Sequence, residues 1–279
     1  TATTEIYTLS LHDALPILMH MRDYPFVFPV KETVYKEIGG RKLRFFVFEP
    51  DAAVANRTAV LFFNGGTFMQ SPVTPADFQY HAHYLASKGY VAICVECRTA
   101  YDAGFTPLQA IRDARSAVRR LRGRASEWGV DPNRVVVCAS SSGGYTVVSA
   151  IMFDHLNDEG DDLSVSPVPD ALVIFAAGMD GVNIMERLYP ELLTEAQSIS
   201  PYHNVKKCLP PTLWIIGTAD PLYEQNRDFV ERMTAAGNDI AWVEYEGMEH
   251  GFFRHGRHGN RPLEETRERI AEFLKSKGF

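Results

Sequence analysis

The sequence predicts an open, doubly wound α/β sheet of eight strands, mostly parallel, with helices on both faces and an antiparallel start. Three observations carry this reading. Strand-like apolar runs alternate with helix-like patterns along most of the chain, and the last six of those runs are apolar on both faces, as a covered parallel sheet requires. The first two runs instead flank a Gly-Gly turn.

In order, "ETVYKEI" and "LRFFVFE" surround Gly39-Gly40, a dipeptide suited to the positive φ values of a tight hairpin. The six later strands are "AVLFFN", "VAICVE", "RVVVCA", "ALVIFAA", "TLWIIGT" and "AWVEYE". Helical patterns lie at 76–87, 107–128, 143–156, 225–236 and 263–277. Parallel strands joined in this way need right-handed crossovers, and such sheets bind ligands at the carboxyl ends of their strands. The chemistry is therefore sought just after each apolar run.

No linker, repeat or low-complexity tract divides the 279 residues, 46% of them hydrophobic, so one large domain over 18–279 is expected. The leading "TATTEIYTLSLHDALPI", residues 1–17, shares no periodicity with the rest of the chain. It reads as the translation of a short-read sequencing adapter and is set apart from the domain as an assembly artefact. Met19 or Met21 would then be the native start, unless that start has been lost. The expected location is cytoplasmic, and a signal peptide lost ahead of residue 18 would make the protein secreted.

The formal charge of −7 and the scatter of basic residues such as Lys31, Lys36, Arg41 and Arg98 argue against nucleic acid as a partner. The longest apolar runs are strand-length, far short of a bilayer span, so no membrane partner is expected. Of four cysteines, Cys94, Cys97, Cys138 and Cys208, the first two form a C-x-x-C inside a strand pattern. Residues three apart on a strand face opposite ways, which favours buried free thiols over a redox or metal pair. No metal and no organic cofactor is expected.

The stretch "RVVVCASSSGGYTV" at 134–147 sets three serines between an apolar run and two glycines. An elbow that exposes a nucleophile needs small residues two before and two after it, because the sharp turn strains the central residue and crowds its neighbours. Centring on Ser140 puts Cys138 and Ser142 there, and centring on Ser142 puts Ser140 and Gly144. Centring on Ser141 gives Ala139 and Gly143, ends the strand at Ala139 and opens the helix on the glycines. Ser141 is the candidate nucleophile, against the plainer reading of a Ser/Gly-rich turn that merely starts a helix.

A serine hydroxyl needs a base to take its proton. Among nine histidines, His250 in "EGMEHGFF" follows the last strand, with a glycine after it that frees its approach. His255 and His258 read as a solvated loop, and His81 and His83 as helix-surface or core-rim residues. The base in turn needs an acid to fix its tautomer. Asp180 in "IFAAGMD" and Asp220 in "IIGTADPL" both end strands. Asp220 lies on the strand just before His250 and completes the order Ser, Asp, His, leaving Asp180 to line the pocket or cap the next segment. "LFFNGGTF" ends the third strand, and backbone N–H groups of Gly65, Gly66 and Thr67 can point at a developing oxyanion together with that of Ser142.

From about residue 34 to 274 the chain resembles the α/β-hydrolase superfamily, and within it the esterase group related to hormone-sensitive lipase and to bacterial acetyl and xylan-acetyl esterases. "FFNGGTF" matches the H-G-G-G-[FW] motif, "DPNRVVVCASSSGG" the D-P-x-R-I strand and G-x-S-A-G-G elbow, "GTADPL" the acid and "GMEHGF" the histidine. The resemblance implies catalytic roles for Ser141, Asp220 and His250. It also implies oxyanion donors at Gly66, Thr67 and Ser142, the last through its backbone alone. The chain departs from the motifs at Asn64 for histidine, Thr67 for the third glycine and Ala139 for the elbow glycine.

The implied activity is that of a serine carboxylesterase acting on short-acyl esters, acetyl to butyryl, through an acyl-enzyme, with a small-molecule or carbohydrate ester as substrate. The link 178–210 is longer than a crossover helix needs, and "NIMERLYPELLTEA" within it is expected to form a small lid. The short run before the first strand is not expected to build a helical cap. Phe68, Met69, Met179, Leu222 and Met248 flank the candidate site and are expected to wall it. A prolyl-type peptidase would need a propeller domain that has no room here. A non-catalytic binding protein on this scaffold would usually have lost a member of the triad. Fold alone decides neither case.

Overall fold

The computed structural model describes residues 22–51 and 56–279, and the adapter-like segment 1–17 lies outside them. β1 (Lys31–Ile38) and β2 (Arg41–Phe48) pair antiparallel across Gly39-Gly40, both at positive φ. β3 (Arg57–Phe63), β4 (Val91–Val95), β5 (Val130–Ser140), β6 (Ala171–Phe175), β7 (Thr212–Gly217) and β8 (Ile240–Tyr245) complete the sheet. Its order is β1-β2-β4-β3-β5-β6-β7-β8, with β2 antiparallel to β4 and every later pair parallel. This is the α/β-hydrolase fold.

Each central strand serves two cores. Along β3, Ala59, Leu61 and Phe63 enter one core and Val60 and Phe62 the other, and β5 repeats this with Val135, Val137 and Ala139 against Val136 and Cys138. The side-chain period of two explains why such strands must be apolar throughout. α2 (Pro107–Gly123), α3 (Ser142–Met152) and α5 (Tyr223–Ala235) cover the first core, and α1 (Gln79–Ser87) and α6 (Arg261–Ser276) the second. Burying each large side chain contributes roughly 1.5–3 kcal/mol. Cys94 and Cys97 are free and buried, one in each core. No helix among the described residues is long and apolar enough to cross a membrane.

Four features differ from the sequence-based expectation. The run at 107–128 breaks after Gly123 into a separate 3-10 turn, Ala125–Trp128. The helix expected over 143–156 stops at Met152, where the Arg115 guanidinium from α2 takes the carbonyls of Ala150, Phe153 and Asp154. Phe153 turns extended there, and the guanidinium satisfies the orphan Ala150 carbonyl, so the helix ends without an unpaired acceptor. β8 is not covered on both faces: it pairs only with β7, and its residues are half-buried or exposed. Being outermost, it has one neighbour, and Trp242 and Tyr223 turn their polar atoms outward to Glu244 at 2.7 and 2.5 Å. His81 is a core residue, 1% exposed, with Nε2 3.1 Å from Thr266 Oγ1 on α6. Burial, reinforced by the Arg267 charge, pushes its pKa down to about 3.

Candidate active site

The carboxyl ends of β3, β5, β7 and β8 carry the residues singled out by the sequence. Ser141 joins β5 to α3 with φ 52° and ψ −123°, a conformation rare for any residue with a side chain. The strain is held from both sides: Ser141 N–H donates to the Phe175 carbonyl at 2.9 Å, and Tyr145 N–H donates to the Ser141 carbonyl at 3.1 Å. The glycines that follow are required by contact. A Cβ on Gly143 would lie 2.5 Å from the Asn64 oxygen, and one on Gly144 would lie 2.4 Å from Ala177 Cβ. Ala139, where the elbow motif has glycine, is fully buried and keeps a negative φ.

His250, on the loop after β8, places Nε2 3.1 Å from Ser141 Oγ and Nδ1 2.7 Å from Asp220 Oδ2. The Asp220 side chain is wholly buried in the turn after β7, where its Oδ1 accepts the Leu222 N–H at 2.8 Å. The two loops are cross-tied, Ala219 N–H to the Met248 carbonyl at 3.1 Å and Gly247 N–H to Thr218 Oγ1 at 2.8 Å. With a carboxylate against Nδ1, the proton of the neutral imidazole belongs on Nδ1, which leaves the Nε2 lone pair facing the serine. Such a set can activate a hydroxyl.

The other candidates lie elsewhere. Asp180 caps α4 (Gly181–Leu188) by accepting the Asn183 N–H at 3.1 Å and lines the cleft without a hydrogen bond to His250. His83 and His255 stack on Phe28 and Tyr80, and His258 pairs with Glu249 at 2.9 Å.

The turn after β3 departs from the expected donor set. Gly65 N–H is spent on Ser140 Oγ at 3.1 Å, so Gly65 is withdrawn from it. Thr67 N–H is also occupied, by Ser142 Oγ at 3.0 Å. The cause is the same in both cases, since the serines flanking Ser141 bring acceptors that an alanine or glycine would not. Among the described residues the N–H groups of Gly66 and Ser142 have no acceptor, the latter as an orphan donor of the first turn of α3.

A cleft of about 170 Å³ adjoins these atoms, with Ser141 and Ser142 in its wall. Phe68, Met69 and Leu222 line it as expected. Met179 and Met248 do not. Met179 is wholly buried in the first core, and Met248 packs on the second, because each points away from the sheet edge that its neighbours reach. The sequence reading missed Asn183, Ile184, Arg187, Leu188 and Gln225 in the wall. The i, i+3, i+4 spacing of Ile184, Arg187 and Leu188, all on α4, was the available signal.

α4 and the 3-10 turn Pro190–Leu192 form the small lid. Tyr189 between them donates its hydroxyl to the Phe68 carbonyl at 2.7 Å, tying the lid to the turn after β3. Burial, with the Glu191 charge, pushes that phenol up to about 12, so it stays a donor. A second space of about 270 Å³ lies across the same turn against Arg22, Tyr24 and Tyr101, and Ser141 does not line it.

A family model described as alpha/beta hydrolase fold matches residues 60–254. The chain belongs to the α/β-hydrolase family. This hydrolase is 32% identical to Thermogutta terrifontis esterase 2 phosphorylated by paraoxon, with a TM-score of 0.82 over 90% of this chain and 95% of that one. The propionate-bound form of that esterase gives 33% identity and a TM-score of 0.81 over 90% and 95%. Carboxylesterase NlhH of Mycobacterium tuberculosis is 28% identical over 239 residues, covering 74% of this chain and 70% of its own. The hydrolase is a carboxylic ester hydrolase.

Proposed function

We propose that this hydrolase cleaves short-acyl esters through a Ser141 acyl-enzyme, with His250 as base and Asp220 as its orienting acid. The carrying observation is the unbroken chain from Ser141 Oγ to His250 Nε2 at 3.1 Å and from Nδ1 to the buried Asp220 at 2.7 Å, opening on the cleft. His250 takes the Ser141 proton as Oγ adds to the ester carbonyl, then returns it to the departing alcohol. Water, activated by the same imidazole, releases the acid. Gly66 and Ser142 N–H supply oxyanion donors, each worth roughly 3–4 kcal/mol in the transition state.

The small cleft under α4 supports a short acyl group, in keeping with the propionate- and butyrate-bound forms of the Thermogutta terrifontis esterase. Its polar wall of Asp180, Asn183, Arg187 and Gln225 offers donors and acceptors suited to a hydroxylated alcohol, such as a carbohydrate ester. Each methylene that is buried contributes about 0.8 kcal/mol, and one with no room contributes nothing. On p-nitrophenyl esters, kcat/KM is therefore expected to peak between acetate and butyrate and fall for longer chains. Preference for laurate or palmitate would refute the short-acyl reading.

A further inference from the structure

Thr67 and Ser142 stand where the matching motifs have glycine and alanine, so this chain adds two hydroxyls beside its oxyanion site. They lie 2.9 Å apart, and Ser142 Oγ also accepts the Thr67 N–H at 3.0 Å. Either hydroxyl can donate in this contact, and proton counting favours one direction. Thr67 is 6% exposed and its Oγ1 has no other partner among the described residues, while Ser142 is half-buried in the cleft wall. A buried hydroxyl that fails to donate is costly, so Thr67 O–H donates to Ser142 Oγ.

A serine hydroxyl has two lone pairs and one proton. Both lone pairs of Ser142 are then taken by Thr67, one by its N–H and one by its O–H. The proton of Ser142 is left without an acceptor in the described structure, next to the nucleophile and next to the free N–H of its own residue.

We propose that the Ser142 hydroxyl is a catalytic oxyanion donor, backed by Thr67 and acting in place of the Thr67 N–H. The proposal rests on the esterase reading above. As Ser141 Oγ bonds to the carbonyl carbon, the C=O π pair moves onto oxygen, and the Ser142 O–H turns about Cβ–Oγ to donate to it. The proton is shared in a hydrogen bond and not transferred. Two donors from Thr67 polarise the Ser142 hydroxyl and strengthen that bond, with no heavy atom required to move. When the tetrahedral adduct collapses, the electron pair re-forms C=O and the alcohol leaves with the proton carried by His250.

The test is kcat and KM of Ser142→Ala, Ser142→Thr and Thr67→Val on p-nitrophenyl acetate, with active sites counted by fluorophosphonate uptake so that misfolded protein is not scored. Ser142→Ala is expected to lower kcat with KM nearly unchanged, the mark of a contact made only in the transition state, by less than the roughly 100-fold of a donor lost outright because the variant frees the Thr67 N–H. Thr67→Val should lose less, because Ser142 keeps its proton but not its second polarising donor. Ser142→Thr, which keeps the hydroxyl, should recover most of the loss. A Ser142→Ala enzyme as fast as the parent or faster, or a loss confined to KM, overturns the proposal. A parent protein that neither hydrolyses ester nor takes up label overturns the esterase reading and this donor with it, whereas an active parent with an unaffected Ser142→Ala overturns the donor alone.

Discussion

Asp220→Asn is expected to lower kcat by about 10⁴-fold with little change in fold, because it inverts the proton direction along the site. Asp220 is wholly buried, accepts from Leu222 N–H at 2.8 Å and faces His250 Nδ1 at 2.7 Å. The Leu222 N–H holds the carbonyl oxygen of an asparagine, so its NH₂ must face Nδ1. The imidazole then carries its proton on Nε2 and presents a donor to Ser141 where an acceptor is required. Asp180→Asn serves as the comparison, since Asp180 caps α4 and has no bond to His250. Steady-state kinetics on one activated ester decide between the two, and a larger loss in Asp180→Asn would remove Asp220 from its role.

The second large effect concerns stability in acid. His81 is buried against Phe78, Phe175 and Phe253, and its folded pKa is pushed from 6.5 down to about 3 by burial, then by the Arg267 charge. The unfolded chain binds this proton below pH 6.5 and the folded chain does not until about pH 3, so stability falls as pH drops through that interval. The full loss is roughly 5 kcal/mol, of which about 3 kcal/mol falls between pH 7 and pH 4. Urea unfolding of the parent and of His81→Gln at those two pH values isolates it. The variant should start less stable at pH 7 and lose less on acidification. Equal acid losses in the two proteins would mean that His81 does not set the acid limb.

Periodicity and strand ends made the fold and the placement of the three candidate residues legible in the sequence. All eight strands, and the placement of Ser141, Asp220 and His250 just after β5, β7 and β8, depend on local patterns that tertiary contacts do not rearrange. β8 is a strand as expected, and only its expected burial on both faces failed. An apolar run looks alike at the centre and at the edge, and strand order is fixed only when the sheet assembles. Met179 and Met248 were misplaced because position beside a site does not reveal which side of the backbone a side chain takes.

The donor set around the turn after β3 was the least legible part. Whether Gly65 and Thr67 keep their N–H groups free depends on the rotamers of Ser140 and Ser142, more than seventy residues away in sequence. The buried carboxylates raise the same difficulty. Glu96 at the end of β4 is fully buried between Arg41 and Arg44, and Asp113 on α2 is held by Lys36 at 2.8 Å and Arg98 at 2.7 Å. Each charge looks solvated until its partner, remote in sequence, arrives. Breaking one such pair is strongly destabilising because it strands the other charge.

The central claim is that Ser141 is the nucleophile, and intact-mass analysis after exposure to a fluorophosphonate tests it most directly. The parent protein should gain one phosphonyl group per chain, mapped by peptide analysis to Ser141, and Ser141→Ala should gain none. A parent that stays unlabelled, or a Ser141→Ala protein that labels as fully as the parent, would contradict the account.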